Sequence, residues 1–126
     1  MKLKLKTING DFAICYLDPK AQIPLWSRND LFYSLTMTKD ELSIVTLQAQ
    51  VPKGIKCDPF WNILMVIGPL DFSLVGVLAD ISKVLKAAEI SIFVISTYET
   101  DYILVKKDNL QKAITVLNNS GYEVLC

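Results

Sequence analysis

The chain has 126 residues, of which 52% are hydrophobic, and its 13 basic residues balance its 13 acidic ones. This length allows one compact domain or two small halves that share a core. Because the formal net charge is zero, there is no electrostatic reason to expect a nucleic acid, an anionic membrane or an acidic partner. The sequence contains no histidine, the commonest general base and zinc ligand, so neither a catalytic residue nor a metal site is predicted.

The apolar content raises the question of a membrane segment. The longest nearly unbroken apolar run, residues 60–70, contains Asn62, Gly68 and Pro69 and is far shorter than the roughly 20 residues that a membrane helix needs. The basic start of the chain has no apolar stretch behind it that would make a signal peptide. We therefore expect a cytoplasmic protein without a membrane partner, whose apolar surface is buried partly against a second copy in a homo-oligomer, most simply a dimer.

The cysteines Cys15, Cys57 and Cys126 are odd in number, widely spaced and without a CxxC pair. This pattern favours structural thiols in a reducing compartment over a disulfide framework.

The first half of the chain is predicted to be rich in strands. Residues 3–5 and 12–17 flank Asn9-Gly10-Asp11, which predicts two strands joined by an Asn-Gly turn. Residues 18–30 carry two prolines and no sustained period, so they are expected to form a loop with at most a short helical turn.

A second hairpin is predicted next, from residues 31–37 and 42–47 around a polar turn. Residues 48–59 then contain Pro52, Gly54 and Pro59, the most linker-like composition in the chain. The predicted domain division therefore falls between residues 58 and 59.

The second half alternates strand and helix patterns. In chain order these are a strand at 60–67, a helix at 74–88, strands at 90–96 and 102–106, a helix at 108–118 with Asp108 as its N-cap, and a strand at 122–125. This β-α-β-β-α-β order is the ferredoxin-like pattern. We expect a four-stranded antiparallel sheet with both helices on one face, and its other face covered by residues 1–58, by a second chain, or by both.

Two segments of the second half resemble the ACT domain family: GPLDFSL at residues 68–74 and the hairpin ISIFVISTYETDYILV at residues 90–105. More narrowly, they resemble small tandem-ACT proteins related to amino-acid sensors and the regulatory ACT pair of aspartate kinase. The first half resembles an ACT repeat more loosely and lacks its long helix. The resemblance implies an α+β fold, in which a reduced, strand-rich ACT-like half (residues 1–58) precedes a ferredoxin-like βαββαβ ACT domain (residues 59–126).

The resemblance also implies a regulatory protein that is neither an enzyme nor a cofactor carrier. A small molecule, typically a free amino acid, would bind at an interface between ACT units and shift their packing allosterically. Carried onto this chain, the ligand-binding residues are Leu70, Asp71, Phe72, Ser73, Leu74, Ile92, Phe93, Val94, Thr97 and Asp101.

The turn between the first strand and helix of this half suits the headgroup of an amino acid independently of any family. Unpaired amides at the predicted helix start, near Phe72 to Leu74, would bind a carboxylate, and Asp71 would face an ammonium group. The alternative is that Asp71 or Ser73 only caps the helix, which is compatible with ligand binding because a capping carboxylate has a spare oxygen. At the hairpin tip, Glu99 and Asp101 could receive a cationic side chain or be simply solvated.

Two other classes of function compete with amino-acid sensing. One is a ligand-free protein-interaction or self-assembly module of the same fold. The other is a small enzyme of ferredoxin-like fold, which is disfavoured because the chain has no histidine and no paired-acid or nucleophile constellation. Nucleotide binding is not expected, since neither GxxxxGK[ST] nor GxGxxG occurs.

Overall fold

A computed structural model gives the structure of the chain and describes residues 3–67 and 76–126. The strands are β1 (Lys4–Leu17), β2 (Ser34–Met37), β3 (Leu42–Leu47), β4 (Lys56–Val66), β5 (Ile92–Ser96), β6 (Asp101–Lys106) and β7 (Glu123–Leu125). The helices are α1 (Val77–Ala87) and α2 (Leu110–Asn119). Short 3-10 turns occupy Leu25–Ser27, Gln48–Gln50 and Lys107–Asn109.

The chain forms two compact units. Unit A combines Met1–Ile8 with Asn62–Cys126, and unit B is Asn9–Trp61. Strands β1 and β4 therefore each contribute residues to both units. The assignment of residues 1–58 and 59–126 to separate domains stays a prediction.

Unit A has the mixed α+β character predicted for the second half, with the strand order β7-β1-β4-β6-β5. Helices α1 and α2 contact each other and bury their apolar sides in one core with the strands. The side chains buried there are Leu5, Leu64, Val66, Ile81, Leu85, Ile90, Ile103, Val105, Ala113, Ile114, Leu117 and Tyr122. The ferredoxin-like α+β fold class is thus confirmed.

The prediction of a four-stranded antiparallel sheet from residues 60–126 alone is wrong in one respect. The start of β1 lies between β4 and β7, and it pairs with β7 in parallel, with Lys4 opposite Glu123 and Leu5 opposite Val124. On its other side the Ile67 N–H donates to the Lys4 carbonyl at 2.9 Å. Leu5 is fully buried and Leu3 packs against the same core, whereas Lys4 and Lys6 are exposed, as the alternation of side chains along a strand requires.

Unit B is built from β2, β3, β1 and the start of β4, in that order. The predicted second hairpin is confirmed, since β2 pairs antiparallel with β3 from Ser34 opposite Val45 to Met37 opposite Leu42. Residues 18–59 hold only 3-10 turns as helical structure, as predicted for this stretch. One core cluster of unit B consists of buried residues on β1 and β3, namely Ala13, Cys15, Leu42 and Ile44.

The predicted Asn-Gly turn at residues 9–11 is wrong, because β1 runs unbroken through this point. Its second part pairs with β3 instead, from Phe12 opposite Leu47 to Leu17 opposite Leu42. Gly10 adopts φ +114, a conformation that glycine permits without reversing the chain. The Asn9-Gly10 pair therefore marks a residue of positive φ within a continuous strand, not a turn.

Two other boundaries differ from the prediction. Strand β4 begins at Lys56, so residues 56–59 are not linker. The irregular point is Phe60, whose φ is +65, directly after a proline that lacks an N–H for a sheet hydrogen bond. Asp108 is not the N-cap of α2: it lies within the 3-10 turn Lys107–Asn109, and Asn109 takes the N-cap position without a side-chain hydrogen bond.

Candidate functional site

The predicted binding loop connects β4 to α1 in unit A. Five of the predicted ligand residues, Leu70, Asp71, Phe72, Ser73 and Leu74, lie outside the described residues. On the helix side the described chain resumes at Gly76, which has φ +85 and accepts a hydrogen bond from the Asp80 N–H at 2.8 Å. Helix α1 therefore begins at Val77 rather than near Leu74, and its first amides are those that follow the left-handed glycine.

Three further predicted residues, Ile92, Phe93 and Val94, lie on β5, and all three are half-buried. Strand β5 pairs antiparallel with β6, with Ile92 opposite Val105 and Val94 opposite Ile103. It is the last strand in the order of the described sheet. Such a strand presents N–H and C=O groups along its outer edge, where a ligand or another strand can bind.

The remaining two predicted residues, Thr97 and Asp101, shape the turn between β5 and β6. The Thr97 N–H donates to the Thr100 carbonyl at 2.8 Å, and the Thr97 hydroxyl donates to the same oxygen at 3.1 Å. The Ser96 hydroxyl donates to Asp101 Oδ1 at 2.5 Å. Both predicted residues thus have structural contacts, although a carboxylate such as that of Asp101 can accept several hydrogen bonds.

Thr100 brings this turn to the end of β4. Its side chain is buried, and its hydroxyl donates to the Val66 carbonyl at 2.6 Å. Val66 is the last residue of β4, so the turn lies beside the point from which the chain enters the predicted binding loop. One hydrogen bond therefore places two separately predicted parts of the site, the hairpin turn and the entrance of the loop, next to each other.

Sequence reasoning missed Ser96 and Thr100. The contact of Ser96 could have been predicted from the sequence. The apolar residues determine the register of the β5–β6 hairpin, and this register places Ser96 opposite Asp101. Thr100 gave no such signal, since a threonine in a polar turn looks solvated until its long-range partner is known. Tyr98 and Glu99, at the tip of the same turn, are exposed.

An open groove of about 580 Å³ lies elsewhere in unit A, between the two helices. It is lined by Asp80, Lys83, Val84, Ala87, Ala88, Val116, Asn119 and Ser120. None of the five predicted ligand residues that the structure describes lines it. Its size suits a small ligand, but the groove is widely open to solvent along the line where the two helices meet.

Among residues 3–67 and 76–126, no group of three or more Cys, Asp or Glu side chains is arranged to hold a metal ion. Neither α1 nor α2 is long and apolar enough to cross a membrane, and the described residues contain no other α-helix.

The ferredoxin-like fold places the chain in a broad class of small α+β domains, and comparison with known proteins identifies the family. The family model described as ACT domain matches residues 56–119, half of the chain. A second model, described as an N-terminal domain, matches residues 10–54. The chain belongs to the ACT domain family.

A human relative carries the name cytosolic arginine sensor for mTORC1 subunit 1. It is 32% identical to this chain over an alignment of 95 residues, and the match covers 68% of this chain and 29% of that protein. The chain therefore matches less than a third of the length of this relative, and the relatives from Bos taurus and Pongo abelii show the same values.

Solved structures extend the likeness to the whole chain. A crystal structure of a protein from Agobacterium tumefaciens is 36% identical, covers 99% of this chain and 93% of that one, and superposes with a TM-score of 0.93. The regulatory subunit of aspartate kinase from Thermus thermophilus covers 94% of this chain and 95% of its own, with a TM-score of 0.60. Because its identity is only 8%, that neighbour shows the fold alone. The predicted resemblance to the ACT family, to an amino-acid sensor and to the aspartate kinase regulatory region is confirmed.

Proposed function

We propose that this chain is a regulatory protein that binds a free amino acid and has no catalytic activity of its own. At the level of the family, its membership of the ACT domain family and its similarity to an arginine sensor support a role in amino-acid sensing. The observation that carries the proposed site is the Thr100 to Val66 hydrogen bond, because it holds the β5–β6 turn beside the entrance of the predicted loop.

In the proposed site, the loop residues Leu70 to Leu74 surround the headgroup of the amino acid. Asp71 faces the ammonium group, and backbone amides before and at the start of α1 bind the carboxylate, where the helix dipole favours negative charge. Strand β5, with Ile92, Phe93 and Val94, supplies the opposing surface. Asp101 and Thr97 border the site from the turn.

We propose further that the site is completed at an interface between ACT units of two copies of the chain. The half-buried apolar residues of β5 support this, because an end strand with apolar side chains favours association through its edge. A ligand held between two copies would favour one packing of the units over another, and it can do so only by its differential affinity for the two packings. The expected location of such a sensor is the cytoplasm.

A basic amino acid is the first candidate ligand. Glu99, which is exposed, and Asp101 lie on either side of Thr100 in the sequence. Two carboxylates therefore flank the proposed site. They would favour a cationic side chain electrostatically. The similarity to arginine sensors independently suggests arginine as the first compound to test.

A thermal-shift screen against the twenty amino acids tests the proposal. A ligand present at about 100 times its Kd stabilises the native state by about 2.7 kcal/mol, which raises the midpoint by an amount on the order of 10 °C for a chain of this size. One amino acid, or a small set of related ones, should produce such a shift while the others do not. If none does at millimolar concentration, the sensing proposal fails.

Light scattering across a range of protein concentrations distinguishes a sensor from the alternative, a ligand-free self-assembly module. A ligand-free self-assembly module would form the same oligomer whether or not amino acids are present. A sensor of the proposed kind changes its dimerisation constant, or the stability of its dimer, when the ligand identified by the screen is added.

A further inference from the structure

Two cysteines of unit B that lie 42 positions apart in sequence meet in space. Cys15 is on β1 and Cys57 on β4, which are neighbouring strands, and the two side chains are close enough for Cys57 to affect the pKa of the Cys15 thiol. The residues next to them in sequence also contact each other, since Lys56 Nζ lies 5.4 Å from the centroid of the Tyr16 ring. Residues that face each other on neighbouring strands have Cα atoms about 4.5–5.5 Å apart, within the range of about 4.4–6.8 Å that a disulfide requires.

The two thiols differ in access to solvent. Cys15 is only 2% exposed, whereas Cys57 is exposed. Burial, with a smaller contribution from the neighbouring Cys57, raises the pKa of the Cys15 thiol to about 12. Because the thiolate is the reactive form, Cys15 is inert toward reagents in solution, and Cys57 is the thiol that they can reach.

We propose that Cys15 and Cys57 form a thiol pair that closes into a reversible disulfide when the protein meets a low-molecular-weight disulfide. In the first step the Cys57 thiolate attacks one sulfur of the reagent, which forms a mixed disulfide on Cys57 and releases one thiolate. In the second step Cys15 gives its proton to solvent and attacks the Cys57 sulfur, which forms the Cys15–Cys57 bond and releases the second thiolate. The protein loses two protons and two electrons, and the reagent disulfide is reduced to two thiols.

This site is independent of the proposed amino-acid function, because both cysteines lie in unit B. The sequence alone did not indicate that Cys15 and Cys57 are close to each other. Cys57 was assigned to a linker, whereas it lies in β4 next to β1. A disulfide at this position would join two strands that already lie side by side, so it requires little rearrangement.

Oxidised glutathione is the probe that tests the proposal, with the Cys126→Ser variant as the parent protein so that no other thiol is present. Under native conditions at mildly alkaline pH, both thiols should disappear together and the mass should fall by two hydrogens. A peptide that links the two cysteines should appear after digestion. A dithiol reductant should restore the original mass. Cross-linking should raise the thermal midpoint by roughly 10 °C, because the bond closes a long loop.

Two further variants in the same background identify the order of the steps. With Cys15→Ala the reaction should stop at one glutathione per chain on Cys57, and with Cys57→Ser Cys15 should stay reduced while the protein is folded, as circular dichroism can verify. Two outcomes would overturn the proposal. One is a stable glutathione adduct on Cys57 in the parent protein, with Cys15 still reduced. The other is cross-linking that occurs only after the protein is unfolded in urea, because the pair would then not be set up by the fold.

Discussion

The phenol of Tyr122 donates a hydrogen bond to the carboxylate of Asp80, so the residue that leads into β7 is tied to helix α1. Tyr122 is only 6% exposed, and Asp80 stands in the first turn of the helix, where its charge also favours the helix dipole. This contact joins residues 42 positions apart. It fixes the segment between α2 and β7, which is the edge strand of the sheet of unit A, against helix α1.

Removing the Tyr122 hydroxyl should destabilise the protein. Tyr122→Phe keeps the ring in the core but leaves Asp80 without this donor, and loss of a hydrogen bond to a charged group costs about 1.5–3 kcal/mol. Urea unfolding measures the difference. Tyr33→Phe is the matched control, because Tyr33 is 40% exposed and its hydroxyl can be replaced by water. Equal stabilities of the two variants would contradict a stabilising role for the Asp80 contact.

The pKa of Cys15 makes stability depend on alkaline pH. Burial raises the pKa of this thiol from 9.0 to about 12, so the folded state keeps a proton that the unfolded state loses. The stabilisation is complete below pH 9 and is lost as the pH rises from 9 towards 12. For this group alone the free energy of unfolding should fall by about 1.4 kcal/mol between pH 8 and pH 10.

Urea titrations at several pH values, in the presence of a reductant, measure this loss. Cys15→Ala should reduce the fall in stability by about the predicted amount, whereas Cys126→Ala, at an exposed thiol, should leave it unchanged. Burial and the Asp80 contact also raise the pKa of Tyr122, so this residue adds a separate decline that starts near pH 10. An identical pH dependence in wild type and Cys15→Ala would rule out the effect.

The elements that sequence analysis predicted well are those held by local patterns. The β2–β3 and β5–β6 hairpins and helices α1 and α2 follow from apolar periodicity within about 15 residues. The misplaced elements depend on distant partners. Lys4 pairs with Glu123, and no local pattern reveals that the first strand lies between β4 and β7. The period of two in residues 3–5 predicted a strand but not its neighbours.

Gly10 and Gly54 form a natural comparison for backbone strain. Both have positive φ, +114 and +90, which side-chain-bearing residues rarely adopt. A Cβ at Gly10 would also lie 2.9 Å from Leu47 Cδ2, whereas a Cβ at Gly54 meets no atom within 4 Å. Gly54→Ala should cost about 1–2 kcal/mol from backbone strain, and Gly10→Ala should cost more. Denaturant unfolding of both variants checks this, and a smaller loss at Gly10 would show that Leu47 moves aside without cost.

Thr46 is the buried link between β3 and the loop before β2. Its side chain has no exposed surface, and its hydroxyl donates to the Ser27 carbonyl at 2.7 Å and accepts from Asn29 Nδ2 at 3.1 Å. Thr46→Val keeps the shape but leaves both groups without this partner, which should cost about 1–3 kcal/mol. The control is Thr36→Val on β2, where the side chain is exposed. If the two variants are equally stable in thermal unfolding, water replaces the lost hydroxyl.

The proposed ligand site shows the same division between local and distant information. The resemblance to ACT domains assigned Thr97 and Asp101 to the site, and both lie at the β5–β6 turn that the local pattern predicts. What could not be predicted is that Thr100 binds the Val66 carbonyl, since this contact depends on β4 and β6 being neighbours. The helix start was also misplaced, because Gly76 adopts a left-handed conformation that an apolar period running through it does not reveal.

The last prediction concerns the charge of Asp71. In the proposed site its carboxylate binds the ammonium group of the amino acid, and loss of such a charge-assisted hydrogen bond costs about 1.5–3 kcal/mol, or about 10- to 150-fold in Kd. Asp71→Asn should weaken binding by this factor in calorimetry with the amino acid that the screen identifies. It should leave the unfolding midpoint of the free protein nearly unchanged, because asparagine retains most of the hydrogen-bonding capacity of aspartate at a cap or turn.

The matched control is Asp40→Asn, an exposed aspartate in the β2–β3 turn of unit B. It changes the net charge by the same amount, so long-range electrostatic effects on a charged ligand are shared by the two variants. A Kd that rises only in Asp71→Asn supports a direct contact. If both variants weaken binding equally, the effect belongs to the net charge, and an unchanged Kd in Asp71→Asn would assign that residue to a structural role in the loop.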